Sequence, residues 1–290
     1  MSDQVAGASL ELRSAWLGAA RDRLVDELDR VLGDALRLEG RRRPPWSEWV
    51  AISDFDLTGR CAGRFAHPDP DSSPRSATTL LTRALAKLAL GAWDGTESPG
   101  SALRRVLPTI TEPTWVVDAL EELDPAARAA VQSSAEAWMA DVLTSVRGRR
   151  DLRWQVARSR VEVPGRSIRL AAACDARLGD PRRPTTLLVH SGRLPDDAHD
   201  AVVAGFVSLV VCFWGRAVPE RVRLSSAGTG IARRVVVTPE VLDRGVDRIV
   251  ELASHRAVPD AAPLTPGGWC RWCHRLEDCT VGRVHLEPGA

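Results

Sequence analysis

The sequence predicts a mixed α/β chain of the α+β kind: a helical first half, strands interleaved with two helices, then a cysteine-rich tail. Three observations carry this. Apolar residues recur at helical spacing through the first 150 positions, alternation at period two begins near position 152, and three of the six cysteines crowd into 270–279. Hydrophobic residues make up 44% of the 290, enough for a sizeable core, and the net charge of +1 gives no global pull toward nucleic acid or membrane.

Residues 9–39 form a helix by period, with Leu12, Trp16, Ala19, Ala20, Leu24, Leu28, Val31 and Ala35 on one stripe. Gly40 and the run Arg41-Arg42-Arg43-Pro44-Pro45 end it. A second helix is expected from Ser53, an N-cap backed by Asp54 and Asp56, running through Cys61 to Phe65. Helices are expected over 75–91 and 125–147, the latter opening at Asp124-Pro125. Between them Gly95, Pro99, Pro108 and Pro113 allow only short helices.

Residues 152–163 and 166–178 alternate about Pro164-Gly165 and read as a hairpin. A short strand at 185–190, an apolar helix at 196–214, strands at 219–226 and 231–237 and a helix from Pro239 to His255 follow. The strand–helix–strand order implies a mixed sheet with a helix packed on it. The apolar run from Ala201 to Gly215 is shorter than the ~20 residues a bilayer span needs. With no secretory signal at the N-terminus, a cytoplasmic protein is expected, not a membrane protein. The chain divides into an N-terminal helix (1–45) and a larger unit (46–290), comprising a helical part (46–150), a sheet core (151–256) and a cysteine tail (257–290).

The tail reads Cys270-Arg-Trp-Cys273-His-Arg-Leu-Glu-Asp-Cys279, and cysteines two residues apart can bend around one metal. A fourth ligand is needed. Cys174, in a strand, and Cys212, in the apolar helix, read as small buried hydrophobes. Cys61 lies in the polar, glycine-flanked stretch Thr58-Gly59-Arg60-Cys61-Ala62-Gly63-Arg64-Phe65. Spacing alone leaves two options open: zinc on three cysteines with His274, or an iron–sulfur cluster on Cys61, Cys270, Cys273 and Cys279. With Cys61 as ligand the metal closes a loop of about 210 residues, a constraint on the unfolded chain of roughly 5 kcal/mol. Trp269 and Trp272 flank the cluster and are expected to shield it.

The segment Ser53-Asp54-Phe55-Asp56-Leu57 through Cys61 to Arg64-Phe65 resembles the S-x-S-x-L-x-x-x-x-C-P-x-R-F opening of RecB/AddB-type and Cas4-type nucleases of the PD-(D/E)XK superfamily. Their iron–sulfur members carry one cysteine before the nuclease core and three after it, near C-x2-C-x5-C, the layout of Cys61, Cys270, Cys273 and Cys279. The resemblance covers about 46–282 and implies a PD-(D/E)XK-like mixed sheet with flanking helices and a [4Fe–4S] cluster, with zinc the lesser alternative.

It does not carry over the chemistry. Asp175 matches the family's strand aspartate, but Leu188 and His190 stand where its metal-binding acid and lysine belong. The protein has no tyrosine, and its only lysine, Lys87, lies in a helix far off in sequence, out of expected reach. Glu162 and Asp180 are the nearest acids that could stand in. The expectation is a pseudo-nuclease with no catalytic residues, binding DNA or serving as a subunit of a DNA-processing or defence complex. The alternatives are an active, divergent metal-dependent DNA exonuclease built on Asp175, and a redox- or iron-responsive regulator. Arg41–Arg43 and Arg147–Arg153 are the basic runs suited to phosphate contact.

Overall fold

The computed structural model describes residues 8–38, 48–51, 61–67, 77–146, 152–156, 159–163, 168–180, 183–191, 197–215, 217–226 and 231–287. Ser53, Asp54, Asp56, Arg41–Arg43 and Arg147–Arg150 lie outside them. The elements, in order, are α1 (Leu10–Leu38), β1 (Glu48–Ala51), α2 (Ala62–Ala66), α3 (Ala77–Gly91), α4 (Pro99–Val106), α5 (Thr114–Glu121), α6 (Pro125–Val146), β2 (Arg153–Trp154), β3 (Ser159–Glu162), β4 (Ile168–Ala172), β5 (Ala176–Asp180), β6 (Arg183–Ser191), α7 (Asp197–Cys212), β7 (Arg221–Ser226), β8 (Ala232–Val236), α8 (Pro239–Ala257) and α9 (Thr280–Leu286).

The mixed α/β class and the helical first half are as expected. The predicted hairpin is present, but it is broken midway. β3 and β4 pair antiparallel in a three-stranded sheet ordered β1-β4-β3, while β2 and β5 belong to a five-stranded sheet ordered β2-β5-β6-β7-β8. The break falls at Ala173-Cys174-Asp175, where Gln155 N–H donates to the Asp175 carbonyl and Asp175 N–H to the Leu188 carbonyl, each at 2.8 Å. β1, parallel to β4 from Glu48↔Ile168 to Ala51↔Ala171, went unread in the sequence; its four residues are too few for a periodic signal.

β6 and β7 are parallel, with α7 crossing between them. Val203, Phe206, Val207 and Val210 of this helix are buried in a core with Leu187 and Val189 of β6, Leu224 of β7 and Val246, Ile249 and Leu252 of α8. Among the described residues no helix is long and apolar enough to cross a membrane. α7 and α8 meet at Gly205 and Gly245: a Cβ on Gly245 would lie 2.6 Å from Gly205 C and 2.7 Å from Phe206 N, and one on Gly205 would collide with the Val241 carbonyl.

α1 packs on α7 and α8 as part of the same core. Its buried face runs Leu17, Ala20, Leu24, Leu28 and Leu32, whereas Leu12 is 47% exposed and Ala19 is also exposed. The apolar arc is wider than the face α8 can cover, so the stripe read from sequence lies partly off the true contact. Arg13 and Arg23 fix the orientation. Arg13 donates to the Val218 carbonyl at 2.9 Å, and Arg23 pairs with Asp243 and Asp247 of α8 at 2.7 and 2.5 Å. A second core holds α3, α4, α5 and α6, with Leu85, Ala89, Leu103, Val131 and Met139 at its centre.

Gly205→Ala is expected to cost about 1–3 kcal/mol or more in chemical denaturation, because the opposing atoms are backbone and cannot turn aside. Gly18→Ala, which meets nothing within 4 Å, is the matched control and is expected to leave stability unchanged or slightly raised.

Candidate metal centre

Cys61 is not inside a helix, as the sequence suggested. It is the residue before α2, in extended backbone (φ −158, ψ 111), and α2 begins at Ala62. The short helix packs on α8 and on the 3-10 turn Pro259–Ala261, and the chain after that turn folds back over it. Gly63 N–H donates to the Pro263 carbonyl at 3.0 Å, and the Leu264 side chain lies directly over Gly63, where any Cβ would meet it. Glycine here permits the close approach that its position beside Cys61 suggested.

The tail coils tightly from there. A 3-10 turn, Gly268–Trp272, buries Cys270. Cys273 N–H donates to the Cys270 carbonyl at 3.1 Å, Leu276 N–H to the Cys273 carbonyl at 3.0 Å and Cys279 N–H to the Leu276 carbonyl at 3.3 Å. Cys279 then caps α9, its sulfur accepting from Gly282 N–H at 3.4 Å, and the Cys270 sulfur accepts from Gly267 N–H at 3.4 Å. A Cβ on Gly282 would stand 3.4 Å from Cys279 Sγ and 3.6 Å from Cys270 Sγ.

Cys61, Cys270, Cys273 and Cys279 all line one small cavity of about 20 Å³, together with Arg64, Trp269 and Leu276. Cysteines some 210 positions apart in sequence thus face a common space. Among the described residues, however, no three His, Cys, Asp or Glu side chains are drawn close enough together to hold a single metal ion.

The remaining candidates separate cleanly. Cys174 and Cys212 are each 2% exposed, and burial pushes both thiols up to about 12. His274 does not line the cavity; its Nε2 is 2.9 Å from the His67 carbonyl, tying the tail to the end of α2. Burial, with Arg275 nearby, holds His67 below the ordinary imidazole range. The two tryptophans do not act alike. Trp269 lines the cavity with its indole N–H donating to the Thr265 carbonyl at 3.2 Å, but Trp272 is 75% exposed and shields nothing.

The sheet gives a different picture at the positions where nuclease chemistry would sit. Asp175 is 1% exposed, and its Oδ1 lies 2.7 Å from Lys87 Nζ. The expectation that Lys87 is out of reach is therefore wrong: α3 lies across the break between the two sheets and delivers the only lysine to the only matching acid. The signal was available, since a lone lysine in the apolar run Leu85-Ala86-Lys87-Leu88-Ala89-Leu90 requires a buried partner. Leu188 is 1% exposed and packs with Val142, Val146 and Ala176. His190 stands two positions further along β6, opposite Ser225. The stand-in acids are elsewhere: Glu162 is exposed and pairs with Arg169 at 2.6 Å, and Asp180 lies at the far end of β5, five residues or about 16 Å from Asp175.

No protein-family model matches the chain, and no curated protein matches it. Fold and site geometry therefore carry the functional reading.

A buried pair broken on one side leaves an uncompensated charge. Lys87→Ala or Asp175→Ala alone is expected to lose about 3–5 kcal/mol in urea titration, while the apolar pair Lys87→Met with Asp175→Leu loses less than either single change. Additive losses in the double variant would contradict the pairing.

Proposed function

We propose that this chain is an iron–sulfur protein on a PD-(D/E)XK-like scaffold, without nuclease chemistry, that binds DNA or serves as a subunit of a DNA-processing complex. The observation that carries the reading is the common cavity of Cys61, Cys270, Cys273 and Cys279. Four cysteines are the donor set of a cubane, and backbone N–H groups already point at two of the sulfurs. A zinc ion at its ~2.3 Å bond length would draw four sulfurs to within roughly 3.8 Å of one another. Lack of convergence to that degree separates neither group from the other, but His274 is turned to the His67 carbonyl and does not line the cavity, so zinc on three cysteines with His274 has less support. When bound, a cluster supplies a four-point cross-link and a redox-active centre. Arg64 at the cavity wall offsets the negative charge that such a centre carries.

The case against nuclease chemistry rests on Leu188 and on the burial of Asp175. A divalent cation needs several oxygen ligands and retained water, and a carboxylate 1% exposed and paired with an ammonium offers neither. One observation favours the rival reading of an active exonuclease: acid and lysine do meet at Asp175 and Lys87. Degradation of single-stranded DNA with Mg²⁺ or Mn²⁺, abolished by Asp175→Ala, would establish it.

Anaerobically purified protein is expected to be brown and to contain about four irons and four sulfides per chain. Cys61→Ser is expected to lose most of the iron, while Cys174→Ser and Cys212→Ser retain it. A colourless protein holding one zinc would overturn the reading.

A further inference from the structure

The face of the five-stranded sheet that carries Leu188 forms a groove of about 280 Å³ lined by Arg221, Arg223, Arg233 and Arg234, with no acidic residue among the described residues that line it. Strand register explains why. Ala176 pairs with Leu188, Leu188 with Arg223 and Arg223 with Arg234, so one row across β5, β6, β7 and β8 runs small, apolar, basic, basic. Arg221 stands two residues before Arg223 on the same face, opposite Thr186. Two arginines directly opposite on neighbouring antiparallel strands repel each other, at a cost of a few tenths of a kcal/mol to about 1 kcal/mol. A bound anion turns that cost into a gain.

The four guanidinium groups are not equivalent. Arg223 donates to the Ser145 carbonyl near the end of α6, Arg233 pairs with the buried Asp200 at 3.0 Å, and Arg221 reaches Glu220 at 3.0 Å. Arg234 is exposed, and among the described residues it has no hydrogen-bond or ion-pair partner. Arg223 is therefore held as part of the groove wall and the Arg233 side chain is turned to α7 on the other face of the sheet, while Arg234 has its charge free for a ligand and Arg221 can exchange Glu220 for one.

We infer that this groove holds the phosphodiester backbone of a nucleic acid directly on arginine, with no divalent cation between protein and phosphate. The inference rests on the DNA-binding reading above and gives it a location. The charge logic is the reverse of a metal-dependent nuclease: where acids would attract Mg²⁺, an apolar residue followed by two arginines along the row repels it. Among the described residues no aromatic side chain lines the groove, so bases have nothing there to stack on and binding is independent of sequence.

The test is fluorescence anisotropy of a labelled single-stranded oligonucleotide, as oligo(dT) and as mixed sequence, in EDTA across a salt series. Wild-type protein is expected to bind both equally and without Mg²⁺. The double variant Arg221→Ala with Arg234→Ala is expected to bind at least roughly tenfold more weakly, with a salt slope shallower by about two, at unchanged melting temperature and iron content. Arg221→Lys with Arg234→Lys, which keeps the charge, is expected to recover most of the affinity. If the alanine variant loses stability, Arg234→Gln alone at an exposed site gives the same readout at half the slope change. Equal binding by wild type and the alanine variant overturns this site and leaves the DNA-binding reading standing. Binding that requires Mg²⁺ overturns the direct contact. No binding by wild type overturns both readings, and displacement by inorganic phosphate alone at equal affinity reassigns the groove to a small anion.

Discussion

The constraint on which the rest of the molecule depends is the closure between α2 and the tail. Residue 61 and residues 270–279 are joined by a loop of about 210 residues that contains nearly every strand. Ordinary contacts hold this closure in part: the backbone bond from Gly63 to Pro263, Leu264 seated on Gly63, and His274 against the His67 carbonyl. Each is worth about 1 kcal/mol. A metal centre tying the same two segments would add roughly 5 kcal/mol by restricting the unfolded chain, comparable with a whole domain's net stability of about 5–15 kcal/mol. The main work of such a centre would be mechanical. It would fix α2 beneath α8, which holds α7 through the facing glycines, and α7 backs the sheet.

At the break between the sheets an acid and a lysine meet inside the core, where they serve as a buried pair between α3 and the sheet. A buried pair of this kind contributes little net stability but is costly to break from one side. Outward of it, Leu188 closes the floor and arginines take the adjacent strands. The row offers no place for a cation and an arrangement suited to an anion.

Much of this was legible in the sequence because period and spacing are local. The helices over 77–91 and 125–146, the apolar crossover helix and the strand order around it follow from short-range pattern. So did the roles of Cys174 and Cys212, whose apolar neighbours mark them as core. What escaped depends on contacts that pattern does not encode. β1 is four residues long and pairs with a strand 120 positions later. The break at Ala173–Asp175 is a change of sheet, invisible to alternation that continues through it. Lys87 meets Asp175 across 88 positions, and the arginine row exists only once β7 and β8 are in register, although Arg221 and Arg223 at period two were a sign of a shared face. Of the two arginine runs that stood out in the sequence, Arg41–Arg43 and the first part of the second, Arg147–Arg150, lie outside the described residues, while the basic groove is built from arginines that no run announces.

Native mass spectrometry of anaerobically prepared protein tests the central claim most directly, because it weighs the intact centre on the folded chain. The account predicts a mass above the apoprotein by four irons and four sulfides, falling to the apoprotein mass on Cys61→Ser with a broadened charge distribution as the closure opens. A wild-type mass equal to the apoprotein, or raised by one zinc and unchanged by Cys61→Ser, would contradict it.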